Sequence, residues 1–350
     1  MTEHTSSTEH TSSSGAPVLA GCDEPLDTVY DAALLDLDGV VYIGPEPVPA
    51  APEAVGKARA AGMRVAFVTN NAARTPAAIA GILSGMGVAA EESDVVTSPQ
   101  AAARLLTERF APGAPVLVVG DTGLRQAVRA AGLRPVTIAR EEPVAVVQGY
   151  HPRLDYSLIA EGALAVAAGA LFVLTNGDTT APMARGVMPA NGSFARVIAT
   201  ATGQEPLVAG KPMRPLHEEG VLRTGAKRPL VVGDRLDTDI EGATRRGAAS
   251  LLVLSGVTTP ERLIAAAPQH RPSYLGWDLA AMGTVHPRVH TGPDGADCGG
   301  WRATVRGGRL ELTGSGDRLD GLRALCGAAW SGRDGADQAD AGPALAQLGW

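Results

Sequence analysis

The chain is 350 residues long, 45% hydrophobic, with 25 Pro and a formal net charge of −7, enough for two or three modules around a sizeable core. Its 30 Lys+Arg are nowhere gathered into a run, so neither nucleic acid nor an anionic membrane is an expected partner. No stretch nears the roughly twenty apolar residues of a membrane span and no basic-then-apolar leader opens the chain, so a cytoplasmic protein is expected, while Cys22, Cys298 and Cys326 are too dispersed for a disulfide frame or zinc site.

Residues 1–26 are Ser/Thr-rich and hold the tandem Thr2-Glu3-His4-Thr5-Ser6-Ser7 and Thr8-Glu9-His10-Thr11-Ser12-Ser13. Lacking material for a core, they are expected to form a disordered tail. The apolar run Ala32-Ala33-Leu34-Leu35 then reads as a buried strand that ends on Asp36-Leu37-Asp38-Gly39. Strand alternation sends Asp36 and Asp38 to one side, and open parallel sheets bind ligands beyond the carboxyl ends of their strands. Carboxylates so close repel each other; a hard cation such as Mg2+ relieves the repulsion and neutralises a phosphate brought against them. For the tetrapeptide alone, a solvated Asp-Gly turn is the competing reading. Ala-rich stretches at 51–61, 76–86 and 99–109 are helix-compatible, and their alternation with strands predicts parallel α/β. Arg64-Val65-Ala66-Phe67-Val68 delivers Thr69-Asn70-Asn71, whose hydroxyl, amides and backbone N–H groups suit phosphoryl oxygens or a helix cap.

Strands expected near 116–119, 145–148 and 171–174 continue the βα rhythm through 98–206, a second domain inserted into the first. Val118-Val119-Gly120-Asp121 copies the opening of a later acidic motif, but no acid follows it before Gly132, so Asp121 reads as a helix N-cap. In Thr175-Asn176-Gly177-Asp178 the acid either orders its own loop or meets substrate. The stretches 179–185 and 188–194 have few charges and one aromatic, Phe194, leaving nothing obvious to stack a nucleobase. Lys211, between Gly210 and Pro212, sits on a constrained backbone that suits a charge aimed at one target. Leu230-Val231-Val232-Gly233-Asp234 is a buried-type strand whose end carries Asp234, Asp237 and Asp239, a second source of metal ligands and their support. Beyond 283, a Gly/Pro/Asp-rich linker at 287–300, a hairpin at 301–305 and 309–312 around Gly307-Gly308, and a helix over 318–330 predict a small α+β extension. A mobile connection at 332–342 then leads to a short final helix. Packing against the core or homodimer formation is its expected role.

Asp36-x-Asp38, Thr69-Asn70-Asn71, Gly210-Lys211-Pro212 and Gly233-Asp234-Arg235-Leu236-x-Thr238-Asp239-Ile240, in this order, resemble the four signatures of the haloacid dehalogenase superfamily. The branch they resemble is subfamily IIA, the phosphoglycolate and 4-nitrophenyl phosphatases. The resemblance spans roughly 32–282 and implies a Rossmann-like α/β core at 27–97 and 207–283, an inserted α/β cap of the C2 type at 98–206, and an extension at 284–350. It further implies a Mg2+-dependent phosphatase of a small phosphorylated metabolite. Glycerol 3-phosphate leads, with 2-phosphoglycolate or broad 4-nitrophenyl phosphatase activity as alternatives. By the same resemblance Asp36 would be the nucleophile and Asp38 the acid and base. Asp36, the Asp38 backbone carbonyl and Asp234 would hold Mg2+, with Asp239 and, more loosely, Asp237 in support. Thr69, Asn70, Asn71 and Lys211 would hold the phosphoryl group. A receiver-type phospho-switch shares the acids and Mg2+, but it has no use for an acid-base group at Asp38 or for a cap. A hydrolytic dehalogenase shares the nucleophile but needs no Mg2+.

Overall fold

A computed structural model describes residues 19–183, 185–331 and 338–350; the N-terminal tandem and part of the 332–342 connection lie outside them. The first sheet has six parallel strands in the order Tyr274–Gly276, Ala249–Val253, Pro229–Gly233, Ala32–Leu35, Arg64–Thr69 and Val95–Thr97. Its central strands are buried along their whole length, as continuous apolar runs covered by helices on both faces must be. Phe67 at the centre is fully buried, worth about 1.5–3 kcal/mol relative to an exposed ring.

The inserted segment forms its own parallel sheet, ordered Leu207–Val208, Leu171–Leu174, Ala145–Gln148, Pro115–Val119 and Arg134–Val136. The strand Leu207–Val208 pairs with Leu171–Leu174, so this sheet runs up to Val208, just short of Gly210 and Lys211. Asp121 is the expected N-cap: its carboxylate accepts from Thr122 N–H at 2.6 Å, opening the helix Thr122–Ala130.

The C-terminal region is richer in structure than its sequence suggests. The stretch read as a linker forms the strands His290–Gly292 and Gly295–Cys298, which join Trp301–Arg306 and Arg309–Gly314 in a four-stranded antiparallel sheet. The helix Arg318–Ala329 is buried at nearly every position, because one face meets this sheet while the other shares an apolar cluster with Leu236, Ile240, Leu252 and Leu275 of the first domain. Trp330 closes that cluster, its indole N–H donating to Ile264 O at 3.0 Å. The end of the chain is also tied down: Trp350 stacks on Trp277 at 5.5 Å, and the Arg318 guanidinium lies 4.6 Å from the Trp350 ring.

Residues 19–26, read from the sequence as part of a disordered tail, are ordered against the body. Leu19 is already buried, and Cys22 exchanges backbone hydrogen bonds with His286 at 2.8 Å. Among the described residues no helix is long and apolar enough to cross a membrane.

Candidate active site

Sheet register brings the acids together. Leu35 is level with Val232 on one side and Phe67 on the other, so Asp36, Asp234 and the Val68-Thr69 pair emerge at the same carboxyl edge. One oxygen each of Asp36, Asp234 and Asp239 falls within 4.8 Å of the others. Lys211, only 4% exposed, reaches into this group from the second domain's return segment. Its ammonium donates to Asp36, to Asp239 Oδ1 at 2.7 Å and to Val68 O at 3.1 Å. The bond from Lys211 to Pro212 is cis.

Once all three are ionised, the three carboxylates against one ammonium would leave a net charge of −2 in a largely enclosed site, the charge a divalent cation cancels. Burial pushes the Asp36 carboxyl up to about 8, opposed by Lys211 and reinforced by Asp239 and Asp234. Burial likewise raises Asp234 to about 6, with Asp239 adding to it. Burial disfavours the Lys211 charge, but Asp239 and Asp36 outweigh it and hold the amine above its ordinary range.

Asp234 is satisfied on one side only. Its Oδ2 accepts from Val257 N–H at 2.7 Å, whereas Oδ1 is buried without a partner. Buried polar atoms are normally paired, and an unpaired carboxylate oxygen among other hard oxygen donors is what a Mg2+ ligand set looks like without its ion. The donors present therefore fit the metal. Glycines enclose the same carboxylate: a Cβ at Gly39 or Gly256 would lie 2.5 or 2.0 Å from Asp234 Oδ2.

Asp38 stands apart from the acid cluster, on the open side of the site. Enclosure by the surrounding protein raises its carboxyl above the usual range, against the pull of Lys211 and Arg74, and it is hydrogen-bonded to Tyr42. A carboxyl whose hold on its proton is strengthened in this way, next to a cluster of ionisable groups, is suited to proton transfer. Thr69 is buried, and its hydroxyl oxygen accepts from Asn71 N–H at 3.0 Å. Asn71 turns its side chain to the loop, where its oxygen accepts from the N–H groups of Ala73 and Arg74 at 3.0 and 3.2 Å. The two outer acids differ. Asp239 joins the cluster, whereas Asp237 is exposed and takes both arms of Arg235 at 3.1 and 2.9 Å.

Four further residues approach the site, of which the sequence reading weighed only Asp178, as an acid that orders its own loop or meets substrate. Tyr42 and Arg74 flank Asp38. Asn176 and Asp178, from the second domain, bond to Asn70 at 2.9 and 3.2 Å. Their signal in the sequence is the Thr175-Asn176-Gly177-Asp178 turn, which points to a loop but not to its partner.

The family model for haloacid dehalogenase-like hydrolases matches residues 33–134, a HAD-hydrolase-like model matches 208–282, and a GCN5-related N-acetyltransferase-like domain model matches 298–350. The D-glycerol 3-phosphate phosphatase of Mycobacterium tuberculosis is 42% identical over 313 residues, 87% of each chain. A crystal structure of the glycerol phosphate phosphatase from that organism in complex with magnesium superposes with a TM-score of 0.83 at 40% identity, over 93% of this chain and 99% of that one. A 5'-nucleotidase of Bacillus subtilis is 38% identical over 67% of this chain and 91% of its own. Matched by the family models over 33–134 and 208–282 and along most of a named phosphatase, the chain belongs to the haloacid dehalogenase-like hydrolases.

Proposed function

We propose that the protein is a Mg2+-dependent phosphomonoester hydrolase that works through an aspartyl phosphate on Asp36, with glycerol 3-phosphate as its substrate. The observation that carries the reaction class is the buried set of Asp36, Asp234 and Asp239 around Lys211, with the unpartnered Asp234 oxygen among them. Bound Mg2+, held by Asp36, the Asp38 carbonyl and Asp234, would supply charge neutralisation for the transferring group.

The chain's own residues do the rest. A free Asp36 oxygen attacks phosphorus as the bond to the alkyl oxygen breaks, and Asp38 gives its proton to the departing alkoxide. Asp38 then takes a proton from water, which attacks the phosphorus of the acyl phosphate. Inorganic phosphate leaves and the Asp36 carboxylate is restored. Lys211 and the Thr69 hydroxyl stand where they can offset charge on the phosphoryl oxygens, the largest demand of this chemistry. Asp239 fixes the amine from the other side. We assign the sheet of 115–208 as the cap over this site; closing it would keep bulk water out until substrate is committed.

The substrate assignment is supported by the mycobacterial relative, which covers the C-terminal region as well, and by the paucity of charge and aromatic rings in 179–194. The test is a kcat/KM panel with saturating Mg2+, comparing glycerol 3-phosphate, 2-phosphoglycolate, 4-nitrophenyl phosphate and nucleoside monophosphates. Glycerol 3-phosphate is expected to lead. A nucleotide ahead by about tenfold, roughly 1.4 kcal/mol of barrier, would overturn the substrate while leaving the mechanism standing; phosphate release unchanged by exhaustive chelation would overturn the mechanism.

A further inference from the structure

Asn70 has more partners than a phosphate-binding amide needs. Its Oδ1 accepts from Lys211 N–H at 2.9 Å and its Nδ2 donates to Lys211 O at 3.2 Å, so one side chain holds both backbone polar groups of Lys211. The same Nδ2 donates to Asp178 Oδ2 at 3.2 Å, and Asn70 O accepts from Asn176 Nδ2 at 2.9 Å and from Ser98 Oγ at 2.9 Å. Lys211 is thus clamped by Asn70, and Asn70 is clamped by the inserted domain.

The clamp leaves little slack. A Cβ at Gly210 would lie 2.4 Å from Thr175 O and 2.5 Å from Asn70 Oδ1, and one at Gly192 would lie 2.3 Å from Gly177 O. From behind, Asn191 Nδ2 donates to Asn176 O at 2.8 Å and Gly192 N–H to Asp178 O at 2.8 Å, which fixes the loop to the start of the helix Asn191–Thr202. Interdigitated polar groups at this density hold one arrangement or lose several bonds together.

We propose that Asn176 and Asp178 are positioning residues for the reaction: through Asn70 they set where the Lys211 amine stands beside Asp36, so the amine is in place only while the inserted domain is seated. This rests on the phosphatase reading. Neither residue needs to touch substrate, and the effect of removing either passes through Lys211.

The test compares Asn176→Ala and Asp178→Ala, the second at a half-buried site in case the first does not fold. Each is assayed alone and combined with Lys211→Met, on glycerol 3-phosphate and on 4-nitrophenyl phosphate. The expected result is a kcat loss of about tenfold, the worth of one hydrogen bond at a positioned group, equal for both esters and with KM within about threefold. On the Lys211→Met background that loss should vanish, because groups acting as one unit are not additive. A second readout does not use turnover: reductive methylation of the three lysines, Lys57, Lys211 and Lys227, followed by mass spectrometry. Lys211 labelling should quicken about tenfold in either variant, with Lys57 labelling and the thiol reactivity of buried Cys326 unchanged.

KM changes that differ between the esters, or an undiminished loss without Lys211, would overturn the inference in favour of direct substrate contact. Unchanged Lys211 labelling would overturn it too, and decides alone if Lys211→Met has no measurable turnover. A wild-type protein that releases no phosphate would instead fail the function reading, with the labelling result still deciding the clamp.

Discussion

Gly256→Ala isolates the aim of Asp234 from its chemistry. Gly256 lies outside the left-handed region, so a methyl group brings no backbone strain, but its Cβ would stand 2.0 Å from Asp234 Oδ2 and 2.5 Å from Cγ. Reaching even a tight 3.0 Å contact moves the carboxylate about 1 Å and pulls it off Val257 N–H, a 2.7 Å bond. A hydrogen bond to a charged group is worth about 1.5–3 kcal/mol, and a misplacement of about 1 Å at a catalytic group costs on the order of a hundredfold in rate. Phosphate release measured against Mg2+ concentration should therefore show kcat down by about two orders of magnitude and a markedly raised Mg2+ requirement, with the fold retained by circular dichroism. Gly56→Ala is the control. It sits in the helix Ala51–Ala60 with open space around its Cβ and should gain up to about 1 kcal/mol of stability with unchanged turnover. If Gly256→Ala keeps turnover within threefold at the wild-type Mg2+ requirement, the reasoning that places the metal at Asp234 fails.

Asp38→Asn should nearly abolish turnover of glycerol 3-phosphate yet cost much less on 4-nitrophenyl phosphate, whose phenolate leaves without a proton; equal losses on both esters would remove Asp38 from the leaving-group role. Because burial raises Asp36 to about 8 in the metal-free protein, a proton held below that pH must leave when Mg2+ enters. Affinity for Mg2+ should climb toward pH 8, and calorimetry in buffers of different ionisation enthalpy should report proton release of up to about one per ion at pH 7. Binding without proton release would contradict the raised carboxyl. Burial, reinforced by Lys211, lowers His217 to about 4 from 6.5. The unfolded chain then binds the extra proton first, so the neutral ring's contribution is complete above pH 6.5 and is lost as pH falls toward 4, by on the order of 3 kcal/mol. Urea unfolding of the wild type and of His217→Gln across that window checks this: the variant should have the shallower acid slope.

The parts of the fold that were legible in the sequence are those that local pattern alone determines. Ala145–Gln148 and Leu171–Leu174 are apolar runs stopped by polar or glycine residues, and Asp121 caps its helix because no second acid follows to give it another task. The hairpin of His290–Gly292 and Gly295–Cys298 was hidden by its Gly and Asp content, although the glycine is needed there: a Cβ at Gly295 would lie 2.1 Å from Ala303 O. Asp237 and Asp239 could not be ranked from spacing. The five residues Leu236–Ile240 form a π-helical turn, which sends Asp239 inward to Lys211 and leaves Asp237 to Arg235. The Asn70 clamp was out of reach for another reason. Ser98, Asn176, Asp178 and Lys211 are distant in the chain, and only the seating of one domain on the other brings them to one side chain.

Borohydride trapping tests the central claim most directly. The protein, mixed with substrate and Mg2+, is quenched during turnover and reduced, so that an aspartyl phosphate becomes homoserine, and the peptides are read by mass spectrometry. Homoserine is expected at residue 36 alone, dependent on both substrate and Mg2+ and absent from Asp36→Asn, which should also have lost nearly all turnover. Steady turnover with no reduction at residue 36, or reduction at Asp234 or Asp239 instead, would contradict it.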